Sequence, residues 1–352
     1  MQYRAELDGL RAVCILFTIC NHVTGTPTFL NGTIGVDLFF ALSGWLITTL
    51  IFDENDRSGR FSLGAFYIRR VFRILPLYFV TLLLYALAAQ VAARAGLAGK
   101  AAEFARSFWY MAAMCSEYRP PLDTVFAHGW TLGIEEKFYL AWPALLALTG
   151  FRAWRALLAC AGIYALLTWL MFDLNGMYGA AGGIRGYAGL SFGSALAILA
   201  RRPAVQAALA RSGGVAVLAF AGFYAASVLA PHWGWNVAVA LTGAIMVGSM
   251  WHNRQQPLAR VLGFGALAAA GKLTYAIYLL HVLSKQVALV VLTKLQVPES
   301  FVASYLATYA VSIAVGIGAY FLVEQPMIRL GRRFANRSLP PVFTPIVEQQ
   351  PV

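Results

Sequence analysis

The chain has 352 residues, of which 60% are apolar and 12% charged, with a mean hydropathy of +0.66 and a formal net charge of +12. That balance excludes an ordinary soluble domain and describes an all-α polytopic membrane protein whose core is packed within a bilayer. The positive charge calls for no nucleic acid, because basic residues gather at the cytoplasmic face of membrane proteins.

Segments of spanning length fall at 10–27, 33–52, 74–94, 131–150, 154–172, 184–200, 213–230, 234–251, 271–293 and 301–323, so about ten transmembrane helices are expected. An even count puts both termini on one side. Making that side cytoplasmic places most of the 27 basic residues inside, among them Arg57, Arg60, Arg69, Arg70 and Arg73 in one loop. The expected location is the cell inner (plasma) membrane, multi-pass and in contact with membrane lipid. A membrane domain over 1–337 and a disordered, proline-bearing tail over 338–352 complete the expected organisation. The first helix reads as retained, since Glu6, Asp8 and Arg11 crowd its start. The stretch from Glu103 to Cys115 is too short for a span and suits the interface. Cys14, Cys20, Cys115 and Cys160 form no CxxC pair, so neither a disulfide framework nor a metal site is expected.

In the first span, DGLRAVCILFTICNH sets Arg11 and His22 eleven positions apart. On a helix that spacing returns to within about 20° of one face and climbs about 16 Å, so the two share a stripe with Ile15 and Thr18. Ionisable groups inside a span normally face a wet cavity or a partner and are candidates for function. The second span carries GVDLFFALSGWLIT. Its Ser43 and Gly44 suit either a close helix approach or a small polar notch on a cavity; Asp37 suits either a helix N-terminal anion or the cavity wall.

The next inner loop ends in YIRRVFRILPLYF. Such a basic cluster can fix topology or meet anionic lipid, but Arg70 and Arg73 lie three apart, so on a helix both guanidiniums can converge on one phosphate-bearing ligand. HGWTLGIEEKFYLAWP brings His128, Trp130, Thr131, Glu135 and Glu136 to the outer end of the fourth span. A carboxylate there can balance Lys137, or orient a buried partner such as His22. The middle third carries little chemistry beyond Arg185. Later, GKLTYAIYLLH aligns Tyr275, Tyr278 and His281 on the ninth span, and VEQP places Glu324 where it can pair with an inner arginine.

From Leu7 to Arg333, these motifs in this order resemble acyltransferase family three, the polytopic membrane acyltransferases of envelope glycans and some antibiotics. The departures are Trp45, Thr131 and Lys137, where the family commonly has Phe, Ser and Gln. The resemblance implies transfer of an acyl group from cytosolic acyl-CoA, commonly acetyl-CoA, to an acceptor hydroxyl, often on a glycan. It gives His22 the essential histidine role and makes Arg11, Arg70 and Arg73 donor-binding residues. Ser43 and Gly44 are expected beside the donor, Glu135 is expected to support His22, and Asp37, Trp130, Glu136, Tyr275, Tyr278 and His281 are expected to line or support the cavity. Neutral His22 then acts as general base. A transporter or flippase of a lipid-linked sugar or drug is the alternative; the lack of two matched halves weighs against it.

Overall fold

The computed structural model describes residues 3–30, 32–118, 126–173, 179–230 and 233–337, and the tail expected to be disordered lies outside them. Among the described residues there is no strand. In lipid each backbone polar group must be satisfied within its own segment, which selects helices. Fifteen follow in order: α1 (Ala5–Cys20), α2 (Thr33–Ser58), α3 (Leu63–Arg94), α4 (Ala98–Ala112), α5 (Trp130–Leu148), α6 (Ala153–Asp173), α7 (Gly179–Leu199), α8 (Pro203–Arg211), α9 (Gly213–Leu229), α10 (Trp233–His252), α11 (Pro257–Leu262), α12 (Gly265–Gly271), α13 (Thr274–Lys294), α14 (Phe301–Ala319) and α15 (Gln325–Arg337). Local chemistry marks the ends. Gly59, at φ +69°, terminates α2, and the Ser62 hydroxyl accepts the Ala65 N–H to open α3.

Among the described residues six helical stretches are long and apolar enough to cross a membrane: Thr33–Ser58, Leu63–Arg94, Ala153–Leu170, Gly234–His252, Thr274–Lys294 and Phe301–Arg337. The pair α8 and α9, bent by 67°, would make a seventh. The protein is therefore an all-α, multi-pass membrane protein. Of the ten expected spans, those at α1, α5 and α7 are not among these stretches, and for α1 and α5 the reason is their chemistry. Helix α1 has only 16 residues and carries Glu6, Asp8 and Arg11, while α5 carries Glu135, Glu136 and Lys137 in its second turn. Helix α1 is packed against α2, α12 and α13, so protein rather than lipid surrounds its polar groups.

Two close approaches fix the frame of the site. A Cβ on Gly44 would lie 2.0 Å from the Leu190 carbonyl oxygen, so α2 and α7 meet backbone to backbone. A Cβ on Gly271 would lie 2.0 Å from the Asp8 carbonyl oxygen, which draws the end of α12 onto the first turns of α1. Beyond α14 the chain runs through a π-helical turn, Tyr320–Glu324, into α15. The extra residue of such a turn re-aims side chains, and here Tyr320 and Glu324 face the same cavity as α1.

Candidate active site

Helices α1, α2, α3, α5 and α13 line a cavity of about 160 Å³. Its charged end is assembled from residues remote in sequence: Arg11 on α1, Arg70 and Arg73 on α3, and Lys272 just after α12. Asp8, Glu135 and Glu324 line it too. Arg11 donates from Nη1 to Asp8 Oδ1 at 2.7 Å, and the Arg70 guanidinium lies 5.0 Å from the Tyr139 ring centroid and 5.6 Å from that of Phe66. Aromatic faces attract a guanidinium while leaving its edge free to donate. Arg69, on the same turn as Arg70, donates instead to Glu54 at 2.9 Å. Only two of the three clustered arginines therefore reach the cavity, the two spaced for one helix face.

Higher in the cavity, Ser43 donates to Glu135 Oε1 at 2.7 Å and Tyr275 donates to the Ile74 carbonyl at 2.8 Å. The end of the cavity is made by Thr131 and Tyr278, whose hydroxyls are hydrogen-bonded to each other. Tyr278 also donates to the His128 carbonyl at 2.7 Å. Around this end stand three imidazoles. His22 lies just past α1, its N–H bonded to the Ile19 carbonyl, with its ring centroid 4.7 Å from that of His281; His281 is 4.8 Å from His128. Lys285 donates to the His22 backbone carbonyl at 2.7 Å and so ties the end of α1 to α13.

The structure thus brings Arg11, Arg70, Arg73, Ser43, Glu135, Tyr275 and Tyr278 to one cavity, with His22 and His281 together beside its end. Other expectations are corrected. Gly44 does not line the cavity: its face is filled by the α7 backbone, and Ser194 donates to its carbonyl at 3.1 Å. Asp37 is held by a fork of two bonds from Arg185, Nε to Oδ1 at 3.0 Å and Nη2 to Oδ2, which makes it a bridge between α2 and α7. Trp130 does not line the cavity but packs on Phe40 of its wall with centroids 6.1 Å apart, a supporting place, and Glu136 is absent from the wall. Glu135 is bonded to Ser43, and the rings against His22 are imidazoles, so the carboxylate expected to orient His22 lies elsewhere. Among the described residues no group of His, Cys, Asp and Glu is arranged to hold a metal ion.

Asp8, Tyr139, Lys272 and Lys285 join the site without having been singled out for it, and Thr131, named with its cluster, lines the cavity. Lys285 had a visible signal, since Tyr275, Tyr278, His281 and Lys285 follow at intervals of three, three and four along one face of α13. Lys272 and Asp8 had none, because a tertiary contact at Gly271 brings them together.

Inside a multi-pass bundle, a cavity that gathers Arg11, Arg70, Arg73 and Lys272, with imidazoles packed against its wall residue Tyr278, suits a membrane group-transfer protein: it has the chemistry to hold an anion and to move a proton. The acyltransferase domain model of acyltransferase family three matches residues 4–321, and the chain belongs to that family. It is 32% identical over 152 residues to the peptidoglycan O-acetyltransferase OatA of Listeria monocytogenes, covering 41% of this chain and 24% of that protein. It is 31% identical over 154 residues to the O-acetyltransferase OatA of Staphylococcus aureus, covering 41% of this chain and 25% of that protein. The matched stretch thus spans about a quarter of each relative. No solved structure matches the chain.

Proposed function

We propose that this protein is an integral-membrane O-acyltransferase that moves an acyl group, acetyl in the leading case, from cytosolic acyl-CoA to a hydroxyl of a cell-envelope glycan. The observation that carries the reading is the convergence of Arg11, Arg70, Arg73 and Lys272 in one cavity. Guanidiniums with planar, forked donors suit the phosphates of a CoA donor, and the tyrosine-lined wall above them suits its less polar arm. The names of the OatA relatives support O-acetyl transfer, and peptidoglycan in one of them supports a glycan acceptor.

In this reading His22 takes the proton of the acceptor hydroxyl as its oxygen attacks the thioester carbonyl. The new C–O bond forms, the C–S bond breaks, and the proton passes on to the departing CoA thiolate. Both termini face the cytoplasm, the short α1 and the charged α5 count among about ten spans of the inner membrane, and the acyl group travels outward beside α1. The test uses membrane vesicles of both orientations. Acyl-CoA supplied only at the cytosolic face is expected to acylate a glycan confined to the other face; transfer that needs both substrates on the cytosolic side overturns the through-membrane route. Purified protein that binds no acyl-CoA yet moves a lipid-linked sugar would be a transporter instead.

A further inference from the structure

The three imidazoles beside the cavity end are not equivalent. Ring centroids are 4.7 Å apart for His22 and His281, 4.8 Å for His281 and His128, and 6.0 Å for His22 and His128. Two imidazoles joined through N–H···N have centroids about 5 Å apart, an N···N distance of about 2.9 Å plus about 1.1 Å from each centroid to its nitrogen. His281 is therefore at bonding distance from either neighbour, whereas His22 and His128 are too far apart.

The backbone decides where the hydrogens are. His281 Nδ1 lies 2.6 Å from the Tyr278 carbonyl oxygen and His128 Nε2 lies 3.3 Å from that of Leu279. A carbonyl only accepts, so both nitrogens carry hydrogen, and in the neutral rings His281 Nε2 and His128 Nδ1 are bare acceptors. Both are buried and have no hydrogen-bond partner among the described residues. His128 has spent its hydrogen on Leu279 and cannot supply one to His281. Among the three rings, only His22 has an N–H to give.

We infer that His281 is the positioning residue for His22: in the reacting state its bare Nε2 accepts the His22 ring N–H, which leaves the other His22 nitrogen bare and directed at the acceptor hydroxyl. The inference rests on the reading of His22 as base. The two rings now stand edge to face at 65°, so the bond forms by a turn of the imidazole, while Lys285 holds the His22 backbone in place. When His22 takes the hydroxyl proton, its second N–H remains bonded to His281, which stabilises the imidazolium without itself being protonated. The proton then leaves from the same His22 nitrogen to the CoA thiolate. This is the service expected of a carboxylate, supplied here by a ring whose tautomer is set by a helix carbonyl.

The test compares purified full-length wild type with His281→Phe and His281→Gln, measuring acyl transfer from acetyl-CoA and the ring ¹⁵N signals of His22. His281→Phe should lower kcat by at least about tenfold, as loss of support for a general base does, with KM for acetyl-CoA unchanged because His281 does not line the donor cavity. Glutamine, whose amide oxygen can accept, should restore part of the loss. The wild type should show one His22 tautomer and an N···N coupling to His281, and the phenylalanine variant a mixture of tautomers. If His281→Phe does not fold, the glutamine variant and the wild-type coupling decide. Full kcat in His281→Phe with an unchanged tautomer overturns the inference and leaves the acyl-CoA reading intact. Absence of transfer by the wild type defeats that reading instead, and the tautomer and coupling signals still decide the contact.

Discussion

The two ends of the cavity are built on opposite principles. At the cationic end Arg11, Arg70, Arg73 and Lys272 are long side chains from three parts of the chain, interleaved with Asp8, Glu135 and Glu324. Several charges share one task there, so each contribution is partial and screened by its neighbours. At the imidazole end the rings are short, His128 and His281 are buried, and backbone carbonyls fix their hydrogens. Binding of a polyanion tolerates redundancy, whereas proton transfer depends on one atom at one distance. The difference predicts losses of affinity shared among several residues at one end and losses of turnover concentrated in single rings at the other.

The largest effect should come from His22→Ala. Transfer should fall by more than about 10² while acyl-CoA affinity stays near wild type, because the base is lost and the phosphate-binding end is untouched. Turnover of the purified variant beside calorimetric titration with a non-hydrolysable acyl-CoA analogue checks both halves. A variant that keeps a tenth of wild-type turnover would remove His22 from the role of base.

Next in size, Arg70→Ala and Arg73→Ala should each weaken binding of that analogue by about tenfold, the worth of a charge-assisted contact to phosphate, and the double variant by more. The acceptor KM should not move. Equal affinity in wild type and double variant would return the cluster to topology or lipid contact.

Outside the cavity, Asp37→Ala leaves Arg185 without its fork and should cost about 2 kcal/mol of stability, below the usual figure for a fully buried pair because Arg185 keeps some exposure. Thermal unfolding in detergent reads this as a lower Tm, with acyl-CoA affinity retained in the folded fraction. Smallest of all should be Arg69→Ala. Its partner is Glu54, half-buried and away from the cavity, so analogue affinity should change by less than about twofold. A drop matching that of Arg70→Ala would break the distinction drawn within the cluster.

Legibility in the sequence followed the range of the physics. Arg70 and Arg73 could be paired in advance because three residues on a helix make neighbours whatever the tertiary fold. His22 and Arg11 stood out because an ionisable group in an apolar run is costly enough to need a reason. Gly44 and Asp37 were ambiguous for the converse cause: a small residue and a short acid serve equally for packing and for lining a cavity. Only the neighbour across the gap, Leu190 for one and Arg185 for the other, decides between them. The place of α1 and α5 in the bundle is not legible from hydropathy, which averages a segment without knowing what surrounds it: one helix has 16 residues and the other carries Glu135, Glu136 and Lys137.

By itself the sequence determined that the chain is helical and membrane-embedded, which of its residues carry charge into apolar surroundings, and the order of its motifs. These are properties of composition and of spacing along one helix, and they hold before any two helices meet. The tertiary structure alone decided that α1, α3 and the turn after α12 pool their cations, that Glu135 faces Ser43 and not His22, and that three histidines separated by more than a hundred residues stand ring to ring. Contacts between helices depend on which faces are small enough to approach, and that is settled by packing the whole bundle at once.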